Sequence, residues 1–281
     1  MTLLSWPELL ARERPSPPDA RLPYGVLAGQ FLELWRPDGR PKALVILIHG
    51  GCWRADLPGL ELMDLAAADL AQRGFLVANL EYRRIGEEGG GWPGTFLDIA
   101  LALERTHELA QAPREDLATI LVGHSAGGHL ALWAAARRRI AASSPLFSRL
   151  PFAPDGVVTL AGINDLSAYR KAGAEPCGGP GVIDALTGGA FRPDPFSDAS
   201  PAALLPLGIP QRVISGERDP IVPPRFGEAY AAKAARAGDP VREVTILGAG
   251  HFELIDPAAP AWDSVVAELE DLAGDGSASL T

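Results

Sequence analysis

Short runs of aliphatic and β-branched residues alternate along this chain with longer stretches whose apolar positions recur every three or four residues. The first pattern predicts strands near Gln30–Trp35, Ala43–His49, Phe75–Tyr82, Ala118–Gly123, Gly156–Leu160, Gln211–Ser215 and Val241–Leu247. The second predicts helices near Leu60–Arg73, Thr95–Ala110, Ala126–Arg138, Pro224–Ala237 and Ala261–Ala273. Runs such as ALVILIH and ATILVG are apolar on both parities, so these strands are expected to be covered on both faces, as in a mostly parallel sheet flanked by helices. In the last helix Trp262, Val265, Val266, Leu269 and Leu272 form one stripe, which suits a closing helix packed on the sheet.

Three segments escape the alternation. Residues 1–25 are rich in Pro and Arg, 84–94 contain GEEGGGWPG, and 163–208 carry several Pro and Gly around short helical pieces. A long interrupted stretch where a strand should pass straight into a helix reads as a cap or lid, so 163–208 is expected to cover a pocket. The tail at 274–281 is expected to fray. No linker separates two folding units, and residues 1–281 read as one domain.

Charge and cysteine usage narrow the partners. The 281 residues hold 35 acidic and 25 basic side chains, a net charge of −10 with no basic block. That balance argues against nucleic acid or an anionic membrane and leaves small molecules. No window is apolar enough for a membrane span, and the N-terminal segment lacks the basic start and apolar run of a secretory signal. Cys52 and Cys177 sit far apart in unlike contexts, which predicts neither a disulfide framework nor a zinc site and points to a reducing, cytoplasmic location.

The chemistry is concentrated where strands end. Residues 123–127, Gly-His-Ser-Ala-Gly, lie where the strand ending at Gly123 turns into the helix beginning at Ala126. A bare G-x-S-x-G is a weak signal, but strand-turn-helix placement makes Ser125 a candidate nucleophile, with Gly123 and Gly127 small because the backbones cross there. A serine hydroxyl needs a neutral imidazole to take its proton. Of His49, His107, His124, His129 and His251, His124 is inside the turn, His129 points up the helix, His107 reads as an exposed helix residue and His49 belongs to another motif. His251, in GAGHF after a strand, is the base. The carboxylate behind it is Asp219 in GERDPIVPP, preferred to Glu217 because the following prolines stiffen its loop. Finally, His49-Gly50-Gly51-Cys52-Trp53 follows a strand and can present backbone N–H groups to an oxyanion; with the turn after Ser125, the candidate donors are Gly51, Cys52 and Ala126.

Taken together, HGGCW, EYRR at 81–84, GHSAGG, GERDPIVP and GAGHF resemble the α/β-hydrolase superfamily, and within it the HGGxW kynurenine formamidase group and esterases near the hormone-sensitive-lipase-like enzymes. The resemblance implies an α/β fold with an eight-stranded, mostly parallel sheet and a small cap. It further implies a covalent acyl-enzyme route, no cofactor and no metal. Cys52 departs from the third glycine of the lipase-like pattern and puts a side chain beside the acyl pocket. Trp53 and Trp92 are candidate substrate-binding walls for a flat leaving group, weighed against simple packing. The expected activity is that of a carboxylesterase on small esters, with an arylformamidase as the alternative and a noncatalytic binding protein of the same fold as a remote one. Oligomeric state is left open.

Overall fold

Eight strands form a single sheet in the computed structural model, which describes residues 2–13, 16–112 and 117–278. They are β1 (Ala20–Pro23), β2 (Phe31–Trp35), β3 (Leu44–Ile48), β4 (Leu76–Leu80), β5 (Thr119–His124), β6 (Gly156–Leu160), β7 (Gln211–Gly216) and β8 (Val241–Ile246). Their order across the sheet is β1-β2-β4-β3-β5-β6-β7-β8. β1 and β2 pair antiparallel, as do β2 and β4, and all later neighbours are parallel. This is the α/β-hydrolase architecture expected from the motifs. The central strands β3, β4, β5 and β6 are buried at every position, in keeping with their apolar runs on both parities.

Helices cover both faces: α2 (Asp64–Gln72), α3 (Gly94–Ala110), α4 (Ala126–Ala136), α7 (Arg225–Arg236) and α8 (Pro260–Ala278), with the short α1 (Trp6–Leu10) ahead of β1. α4 has no polar face; every residue from Ala126 to Ala136 is buried, because the helix starts at the sheet edge and runs between the sheet and the segment before β7. The stripe on α8 is buried as its spacing predicts, with Trp262, Val265, Val266, Leu269 and Leu272 all inside.

Several expectations are corrected. The stretch 1–25 is not all loop: it holds α1 and the edge strand β1, whose ARLP sequence is too short and polar to stand out. The supposed frayed tail is helical as far as Ala278, while 279–281 lie outside the described residues. His107 is no exposed helix residue; it is half-buried, and its two ring nitrogens lie 2.8 Å from the Ala112 carbonyl and 2.9 Å from Thr119 Oγ1. The largest correction concerns sulfur, because Cys52 and Cys177 form a disulfide across 125 residues of sequence. Sequence distance hid their adjacency, and the argument for a reducing compartment from unpaired cysteines falls with it.

Within 163–208 the chain forms α5 (Leu166–Ala172) and α6 (Pro180–Thr187), joined by the Arg170–Asp184 ion pair at 2.8 Å. The disulfide fastens the turn between them to the loop after β3, and Arg54 Nη1 donates to the Cys177 carbonyl at 3.2 Å beside it. Tyr169 of α5 donates to the Ile221 carbonyl at 3.1 Å, tying the same insertion to the loop after β7. No helix among the described residues is long and apolar enough to cross a membrane.

Candidate active site

The candidate residues gather at the carboxyl ends of adjacent parallel strands, where this class of sheet leaves a crevice. Ser125 sits between β5 and α4 with φ 55° and ψ −117°, a conformation rare for a residue with a side chain. The sharp turn is possible because glycines stand two residues before and two after it. A Cβ on Gly123 would lie 2.1 Å from the Gly127 carbonyl oxygen, and one on Gly127 would lie 2.0 Å from that of Ile48. The Ser125 N–H donates to the Leu160 carbonyl at 2.8 Å and its own carbonyl accepts from Gly128 and Ile163, so the turn is held from both sides.

Two strands along, Asp219 and His251 meet. His251 Nδ1 lies 2.6 Å from Asp219 Oδ2, and both residues are buried. The other carboxylate oxygen, Oδ1, accepts the N–H groups of Ile221 and Val222 at 2.7 and 2.9 Å, so the loop containing the prolines wraps around the acid and aims it. Glu217, the alternative acid, is exposed and accepts the Gly248 N–H at 2.8 Å. Its carboxylate pins the β8 loop and has no contact with the imidazole. With its Nδ1–H donated to the Asp219 carboxylate, His251 keeps Nε2 as an acceptor.

His124 couples the two loops. Its Nε2 donates to the His251 carbonyl at 3.1 Å, and the two rings lie 4.5 Å apart. Burial first, and then repulsion from the His251 ring when that ring is protonated, drive the His124 pKa well below the usual value and keep its imidazole neutral.

The loop after β3 approaches Ser125 directly: a Cβ on Gly50 would stand 3.1 Å from Ser125 Cβ. Gly51, Cys52 and Trp53 then follow with φ of 92°, 50° and 57°, three successive residues in the left-handed region. Among the described residues, the N–H groups of Gly51, Cys52 and Ala126 have no backbone acceptor. Open backbone donors at a strand end are what an oxyanion pocket would need, and these three are the candidates for it.

The two tryptophans stand otherwise. Trp53 has no exposed surface and sets its ring edge-on to His129 at 5.3 Å, so it packs the core beneath the loop and offers no face to a leaving group. Trp92 is half-buried, and the Arg192 guanidinium covers its ring at 4.1 Å. His129 is buried on the Ala199 carbonyl, with burial lowering its pKa to about 4. Sequence reasoning missed Glu81, which directly follows β4 and meets His49 Nε2 at 3.0 Å. A carboxylate directly after a fully buried strand was the signal that could have found it.

The BD-FAE family model matches residues 32–233. Esterase LipQ of Mycobacterium tuberculosis (strain ATCC 25618 / H37Rv) is 26% identical over 257 residues, covering 88% of this chain and 59% of that protein. The chain thus spans less than two thirds of that relative. Esterase B from Lactobacillus Rhamnosis (HN001) superimposes with a TM-score of 0.76 at 21% identity, over 92% of this chain and 86% of the other. The butyrate-bound thermophilic esterase Est2 from Thermogutta terrifontis gives 0.71 at 16% identity, over 92% and 94%.

Proposed function

From the premise that this chain belongs to the BD-FAE family and has the α/β-hydrolase fold, we propose that it is a serine carboxylesterase acting on short acyl esters. The observation that carries the reading is the buried Asp219–His251 pair beside a strained Ser125 at the β5–α4 turn. In the proposed reaction Ser125 Oγ attacks the ester carbonyl while His251 Nε2 takes its proton. The oxyanion is held by the N–H groups of Gly51, Cys52 and Ala126. Collapse expels the alcohol, to which His251 returns the proton, and water activated by the same imidazole releases the acid. Asp219 keeps the ring in the tautomer this requires and stabilises the imidazolium.

The preference for short acyl groups, about two to six carbons, rests on Cys52: its side chain is committed to the disulfide, which brings the 163–208 insertion down beside the oxyanion loop. We read that insertion as a fixed cap. The butyrate in the Est2 neighbour is in keeping with such a pocket. Trp92 remains a candidate wall for the leaving group. The cytoplasmic location expected from the cysteines has lost its support and is not proposed.

A fluorophosphonate probe should label the native protein at Ser125 and leave Ser125→Ala unmodified. His251→Ala should cut kcat by roughly 10⁴-fold, and Asp219→Asn should follow, with Glu217→Gln close to the parent. Steady-state kcat/KM for acetyl, butyryl, octanoyl and lauroyl esters beside N-formylkynurenine tests the substrate class. The butyryl ester should lead; a lead for lauroyl would defeat the narrow-pocket reading, and a lead for N-formylkynurenine would make the enzyme an arylformamidase.

A further inference from the structure

We infer that His49 is held as an imidazolium by Glu81 and that its charge strengthens the oxyanion hole through the Gly50–Gly51 peptide. The geometry behind this is simple. His49 is fully buried, its Nδ1 is 2.8 Å from the Gly50 carbonyl oxygen and its Nε2 is 3.0 Å from Glu81 Oε1. A carbonyl and a carboxylate both only accept. A neutral imidazole has a single N–H, so one contact would set lone pair against lone pair inside the protein; two ring protons satisfy both.

Glu81 is the poorer seat for the proton, because both of its oxygens already face N–H donors. Its Oε1 also accepts the Tyr82 N–H at 2.9 Å, its Oε2 accepts the Leu60 N–H at 3.3 Å, and Arg84 Nε is 3.6 Å from Oε1. Burial alone would raise this carboxyl's pKa, but the charge and hydrogen bond of His49, then Arg84 and the Tyr82 N–H, bring it down to about 2. The other groups facing His49 are compatible with a cation. The Tyr82 ring stacks on it at 4.3 Å between centroids, its hydroxyl donates to the His49 carbonyl at 2.9 Å, and burial keeps that phenol protonated. His124 across the loop is neutral, and the His49 charge contributes to keeping it so.

The Gly50 carbonyl belongs to the same peptide group as the Gly51 N–H. A charged donor on the oxygen polarises that group and makes its N–H a stronger donor. The inference therefore rests on the reading of Gly51 as an oxyanion donor. Because the charge on the substrate oxygen grows only in the transition state, the gain should be in kcat with KM little changed. His49 and Glu81 are positioning residues in this scheme, since neither touches substrate.

The test is proton–nitrogen NMR of protein labelled with ¹⁵N-histidine, with kinetics on a butyryl ester. Native enzyme should give two ring N–H signals from His49 near neutral pH, assigned by their loss in His49→Gln. Glu81→Gln should leave one and lower kcat about tenfold with KM within about twofold, and Glu81→Asp should recover part of both. One ring N–H in the native enzyme would overturn the proposal, as would a Glu81→Gln variant that keeps both signals yet loses kcat, or one that raises KM alone. Should Glu81→Gln fail to fold, the native spectrum decides. Failure of the esterase reading would look different: no probe labelling at Ser125, whatever His49 shows.

Discussion

Single side chains here carry opposite electrostatic assignments within a few ångströms. In the proposed reaction His251 takes up and returns a proton, while His124 is kept neutral by burial and Glu81 is kept ionised despite burial. The last has a consequence for acid stability. Its carboxyl pKa falls from 4.5 to about 2 on folding, so the native state gains stability that is fully present above about pH 4.5 and is lost as the pH falls toward 2. The pH-dependent part is on the order of 3 kcal/mol by linkage. Urea unfolding of the parent and of Glu81→Gln should therefore converge as the pH is lowered through that window. A gap between the two that stayed constant from pH 6 to pH 3 would deny the depressed carboxyl.

At the scale of elements, the β5–α4 turn concentrates constraints that no longer segment could satisfy. Gly127 touches the backbone of β3 so closely that Gly127→Ala should destabilise the fold by about 3 kcal/mol, measured by urea unfolding, and abolish activity. Near-parent stability would mean that the crossing of α4 over β3 can relax. The core elements were legible because each has a single reason to exist. β3 and β5 are mostly apolar at both parities, and the candidate loops follow strand ends directly. What stayed illegible depends on neighbours distant in sequence. The strand β1 is defined by pairing with β2 and not by its own four residues. Trp53 follows an oxyanion motif yet turns inward, because φ 57° at that residue carries the side chain under the loop, against His129. Glu81 lay in a stretch already noticed, EYRR, but its role needs the register that sets β4 beside β3.

For the whole molecule, the sheet order places the loops after β4, β3, β5, β7 and β8 along one edge, so five segments spread over about 200 residues of sequence, His49 to His251, meet at the carboxyl ends of the strands. The Cys52–Cys177 bond adds a covalent constraint between two of the parts that surround it. Cys52→Ala/Cys177→Ala should lower the unfolding free energy by about 2–4 kcal/mol and shift acyl-chain preference toward longer chains; unchanged selectivity would sever the cap from specificity. The same bond makes a closed ring of the chain from 52 to 177, and Ser125 lies on that ring while Asp219 and His251 lie outside it. A protease that cuts once after the exposed Arg149 would put Ser125 on one piece and His251 on the other, yet the two would remain a single covalent molecule. Such a nicked protein should run as one band on a denaturing gel and split into two only when reductant is added.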